Sequence, residues 1–152
     1  MTSAGNTDRV VAGDATQATA RLRGASMSLL AMLIIQFALG VGVSLYITPA
    51  KGGVSEAFSN GPLLALHVVL GLLLIIAAID LLVRAILARY RPVVVASAIG
   101  LIAILGAAFD GIGFLRNAHN SASLGMTIAG CVAMLCYAVC LRVLGSAYRA
   151  QD

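Results

Sequence analysis

Apolar positions run through this chain in four long stretches, separated by short polar joints. Ser26–Thr48 is 23 residues without a formal charge. Pro62–Ile79 is 18, interrupted only by His67, and the pattern runs on past Asp80 to Ala88. Pro92–Phe109 is 18 and continues past Asp110 to Leu115. Ser121–Leu141 is 21. A helix rises about 1.5 Å per residue, so about 20 residues cross a hydrocarbon core of about 30 Å. In lipid the backbone has to satisfy its own hydrogen bonds, so each stretch predicts a transmembrane helix. The expected fold is all-α, an integral membrane four-helix bundle with up-down-up-down topology. Its spans fall at about 26–48, 62–88, 92–115 and 121–147.

The punctuation supports this division. Pro49 and Gly52-Gly53 stop the first span. Pro62 and Pro92 sit where a first helical turn tolerates a missing N–H. Gly111 and Gly113 loosen the far end of the third span, and Asn120 or Ser121 can cap the fourth. Residues 1–25 read as a disordered or weakly ordered tail. Val54, Ala57 and Phe58 suggest a short interfacial turn in the first long loop. Tyr46, Tyr90, Phe114 and Tyr148 fall near span ends, where aromatic rings favour the interface. No internal repeat is visible, which gives an inverted-repeat transporter little support.

Composition agrees, and charge adds orientation. Hydrophobic residues are 61% and charged residues 11%, against about 25% charged in soluble domains. No water-facing surface is expected from this composition, and four spans with short loops leave no expectation of a second domain. The net charge of +4 is not a nucleic-acid signal, because its distribution follows the spans. Arg9, Arg21, Arg23, Arg84, Arg89, Arg91, Arg142 and Arg149 belong to one side, and Lys51 and Arg116 to the other. The positive-inside rule then places both termini and the Arg84–Arg91 turn in the cytoplasm. The expected location is the plasma (cytoplasmic) membrane, multi-pass, with the lipid bilayer as the first partner. Arg21 and Arg23 before an apolar run imitate a secretory signal, but that run is too long for one, so an uncleaved span is expected.

Few groups remain that carry chemistry. Cys131, Cys136 and Cys140 lie in one apolar helix, which makes no disulfide framework and a poor metal site. Asp80 and Arg84 stand at i, i+4 on one helical face, the spacing of a snorkelling ion pair. His67 and Asp110 sit at similar depth on the second and third spans, about 8 Å inside the outer boundary. A His67–Asp110 hydrogen bond between neighbouring helices would neutralise two expensive groups at once. His119 lies in the short outer loop beyond. With His67 it offers the ligands of one b-type haem as an alternative function, although CxxCH is absent. A small-solute transporter is a second alternative and needs a polar path, for which Gln36, Thr127 and Asp80 are the candidates. Ala103, Ala107 and Gly111, and likewise Ser121, Gly125 and Ala129, form small-residue stripes suited to close helix contact. No nucleophile motif, phosphate loop or carboxylate cluster points to an enzyme.

A resemblance enters on longer runs. Gln36-Phe37-Ala38-Leu39-Gly40 with Ser44-Leu45-Tyr46-Ile47-Thr48-Pro49, then Gly61-Pro62-Leu63-Leu64-Ala65-Leu66-His67 leading into Gly71, resemble small four-helix membrane proteins of actinobacteria. Ser121–Met126 and Cys136-Tyr137 fit the same pattern. That family has no established activity. A fainter similarity is to four-helix haem proteins of the haem A synthase and cytochrome b561 types, which also place histidines near helix ends. The expectation is a non-catalytic membrane protein, structural or an accessory subunit, associating with itself or with a larger membrane-protein partner. It calls for no cofactor, haem b being the alternative, and for no metal.

Overall fold

A computed structural model describes residues 4–46, 61–117 and 120–149. They form four helices: α1 Ala4–Tyr46, α2 Pro62–Leu87, α3 Arg91–Asn117 and α4 Asn120–Arg149. Each carries a segment long and apolar enough to cross a membrane: Gln17–Leu45, Pro62–Leu87, Arg91–Gly113 and Ser123–Ala147. The described residues thus form an all-helical bundle, and the chain is a multi-pass membrane protein. The expected interfacial turn at Val54, Ala57 and Phe58 lies outside the described residues, as does His119.

α1 begins earlier than the sequence suggests. A weakly ordered tail is expected through residue 25, yet the helix runs unbroken from Ala4 for 43 residues, about 65 Å. Once the apolar span has nucleated a helix, each added residue gains a hydrogen bond at little cost. Ala, Gln, Arg and Leu between residues 15 and 23 are strong helix formers, so propagation towards the N-terminus is favoured.

The joint between α2 and α3 is a Schellman turn. Tyr90 N–H donates to the Ala85 carbonyl at 3.2 Å and Arg89 N–H to the Ile86 carbonyl at 3.0 Å. Arg89 holds φ at 55°, the left-handed position that glycine usually fills. Tyr90 then packs on the buried cluster that contains Ala85, and Pro92 stands in the first turn of α3.

All four helices bury residues with the same 4-3-4 spacing. On α1 these are Leu22, Ser26, Leu29 and Leu33; on α2, Leu74, Ala78, Leu81 and Ala85. On α3 they are Val93, Ser97, Gly100 and Ile104; on α4, Ala133, Tyr137, Cys140 and Leu144. This is the seam period of coiled coils, in which knobs from one helix enter holes on the next. Each helix packs on its neighbour in sequence, and α4 returns to α1, with the α3–α4 seam the most extensive. Large apolar side chains such as Leu72, Ile102, Phe109 and Leu135 point outward.

Candidate functional site

The stripes on α1 and α2 extend beyond the apolar quartets and bring in polar residues. Adding alternate steps of three and four carries α1 to Gln36, Gly40 and Val43, and carries α2 back to Gly71, His67 and Leu64. Gln36 and His67 therefore face the seam between the two helices. Gln36 Nε2 donates to the His67 carbonyl at 2.9 Å and lies 3.4 Å from His67 Nε2. With one amide proton on the carbonyl, the other faces the imidazole, so Nε2 accepts and the ring proton belongs on Nδ1. A flipped amide would set oxygen against the carbonyl oxygen.

Glycine makes room for both side chains, reciprocally. A Cβ at Gly71 would lie 2.9 Å from Gln36 Nε2, and one at Gly40 would lie 3.2 Å from His67 Cε1. Each polar residue thus stands opposite the glycine that follows the other by one helical turn. Gln36 Oε1 and His67 Nδ1 are buried and meet no hydrogen-bond partner.

The expected His67–Asp110 pair is not formed. His67 turns to α1, while the Asp110 carboxylate lies over Gly125 of α4, at a point a Cβ would fill. The reason is rotational phase, not depth. Continued from Val93, Ser97, Gly100 and Ile104, the α3 stripe reaches Ala107 and Gly111. Asp110 is one residue off it, about 100° around the helix. Asp80 and Arg84 do meet, Oδ2 to Nε at 2.7 Å, on the outside of α2 with both side chains 51% exposed. That exposure makes the pair a surface feature of the helix and not part of an internal relay.

A second large-against-glycine contact occupies the α3–α4 seam. The Tyr137 ring crosses the α3 backbone at Gly100, where a Cβ would sit 2.9 Å from ring carbons. Tyr137 is fully buried, and its hydroxyl has no hydrogen-bond partner. Cys140 Sγ approaches the Val93 carbonyl at 3.9 Å. Cys136 is half-buried and Cys131 exposed, so the three thiols sit in different environments. Ser26 and Ser97 are also fully buried, and each returns its hydroxyl to its own helix, at Leu22 and Val94.

These positions bear on the expected chemistries. A haem ligand needs a ring nitrogen facing an open slot, but His67 Nε2 faces the Gln36 amide and Nδ1 is buried. The surroundings of His67 therefore do not fit a haem. Gln36, Thr127 and Asp80 do not converge, since Thr127 donates to the Ser123 carbonyl and Asp80 lies outside the bundle. Among the described residues no group of three His, Cys, Asp or Glu side chains gathers around a common point. The Gln36–His67 contact was within reach of the sequence. Gln36 precedes Gly40 by four and His67 precedes Gly71 by four, which in opposed helices sets each polar group on the other's glycine. The chain matches no family model, no curated protein and no solved structure.

Proposed function

We propose that this protein is a non-catalytic membrane bundle, a structural or accessory subunit of a larger assembly or of a homo-oligomer. The observation that carries the reading is where the polar groups go. Gln36, Ser26 and Ser97 donate to helix backbone, Gln36 and Ser26 at 2.9 Å, and the His67 ring meets the Gln36 amide, so their polarity joins and trims helices. The topology in this reading is up-down-up-down. The pairings Gly42–Leu63, Gly40–His67 and Gly71–Gln36 support it, because numbers fall on α2 as they rise on α1. Gly100–Tyr137 and Gly111–Met126 do the same for α3 and α4. In this reading both termini lie in the cytoplasm, as the arginine bias supports, and the bundle lies in the plasma membrane.

Purification in mild detergent, followed by an absorption spectrum and mass analysis of the intact complex, tests the reading. The expected result is no visible band and a mass above that of one chain. A stoichiometric Soret band that disappears in His67→Ala would replace the structural reading with a haem electron carrier. Solute flux in liposomes that Asp80→Asn abolishes would replace it with a transporter.

A further inference from the structure

Asp110 departs from the way this chain settles its other polar groups. Gln36, His67, Ser26, Ser97, Thr127 and Asp80 each meet a partner on the same chain. Asp110 lies within the apolar segment Arg91–Gly113, yet among the described residues it makes no hydrogen bond and no ion pair. Its carboxylate rests on the α4 backbone at Gly125, where a Cβ would lie 2.9 Å from Asp110 Cγ. The C–H groups of that backbone are far weaker partners for a carboxylate than an N–H or a cation. An ionisable group within a span is expensive until something pairs with it.

Helix phase shows where such a partner has access. The buried stripe of α3 points into the bundle, and Asp110 stands about 100° round from it on the α4 side. That carries it past the line joining α3 to α4, to the outer rim of the seam, where it is half-buried. Steps of three and four place Ala103, Gly106, Asp110 and Gly113 on one line of α3, beside the outward-pointing Ile102 and Phe109. A Cβ at Gly106 or at Gly113 would meet nothing within 4 Å. The carboxylate is thus flanked, a turn away on either side, by open backbone that another helix can approach closely.

We propose that Asp110 is the docking point for a transmembrane helix of a different protein, one that carries a lysine or arginine at this depth and packs along Gly106 and Gly113. The proposal rests on the reading of the chain as an accessory subunit and names the chemistry of its partner. Charge complementarity selects the occupant. A second copy in the same orientation would bring its own Asp110 to this depth and add a like charge. Among the described residues this chain has no cation to offer there. Arg91 stands 19 residues away on the same helix, about 28 Å. Arg84 is held by Asp80, and His67 is turned into the α1–α2 seam.

The test uses the full chain in phosphatidylcholine vesicles. Its probe is a synthetic transmembrane helix of leucine and alanine with one lysine at the depth of Asp110, and association is read by fluorescence energy transfer. The wild type is expected to bind this probe roughly tenfold more tightly than the same helix with leucine in place of lysine. The near-isosteric Asp110→Asn is expected to bind both alike. Gly106→Leu, which keeps the charge and closes the approach, is expected to weaken binding of the lysine probe. Equal binding of the two probes by the wild type overturns the proposal, as does a preference that survives Asp110→Asn. Self-association of the wild type that Asp110→Asn abolishes also overturns it, by giving the face to a second copy. The mass of the complex purified in detergent is a separate readout, so the accessory reading can stand where this contact fails. Failure of the wild type to insert into vesicles would instead overturn the membrane reading.

Discussion

At the scale of single residues, size and polarity are matched across the seams. Gln36 faces Gly71 and His67 faces Gly40, so neither glycine is replaceable without moving its neighbour. Gly71→Ala is expected to destabilise the bundle by about 1–3 kcal/mol through overpacking. In a Gln36→Ala background the same change should cost under about 0.5 kcal/mol, because the amide it strikes is gone. Equilibrium unfolding in detergent of the two single variants and the double variant reads the coupling. Equal costs in both backgrounds would contradict the contact. Gly100→Ala drives a methyl into the Tyr137 ring and is expected to cost a similar amount. Tyr137→Phe, by contrast, removes a buried hydroxyl that lacks a partner and keeps the ring. Its stability should stay level or rise by about 1 kcal/mol. A large loss in Tyr137→Phe would show that the hydroxyl has a partner after all.

At the scale of elements, the four helices were legible and their inner faces were not. Length and apolarity alone locate Pro62–Leu87 and Arg91–Gly113, with proline marking the start of one and the first turn of the other. The buried stripe Leu74, Ala78, Leu81 and Ala85 lies beside Leu72, Leu73, Ile76 and Ile79, which point outward. A soluble helix would reveal its core face by contrast with polar residues, but lipid is as apolar as the core and the contrast vanishes. This is why depth placed His67 beside Asp110 while helix rotation set them against different partners. The N-terminal extension of α1 has a different origin. Its sequence offers no core, yet propagation from an existing helix needs none. The α2–α3 turn carries a further prediction. Arg89→Gly relieves the left-handed strain and should raise stability by about 0.5–1 kcal/mol in zwitterionic detergent, measured by thermal unfolding. A clear loss of stability would mean that the Arg89 side chain itself holds the turn.

At the scale of the whole molecule, a ring of four seams leaves the apolar exterior for lipid and partners and turns the polar residues Gln36 and His67 inward. If both termini and the Arg84–Arg91 turn share the cytoplasm, Ala88→Cys reacts with an impermeant thiol reagent only from that side. Ser59→Cys then reacts only from the opposite side, and labelling of both from one side would contradict the topology. The claim on which the rest depends is that α1 and α2 meet through Gln36, His67 and their glycines. Oxidative cross-linking in native membranes tests it directly, in a chain whose Cys131, Cys136 and Cys140 are replaced by alanine. The account predicts a rapid disulfide between Gln36→Cys and Gly71→Cys, and none between His67→Cys and Asp110→Cys. The opposite outcome, with the second pair bridging and the first remaining free, would contradict it.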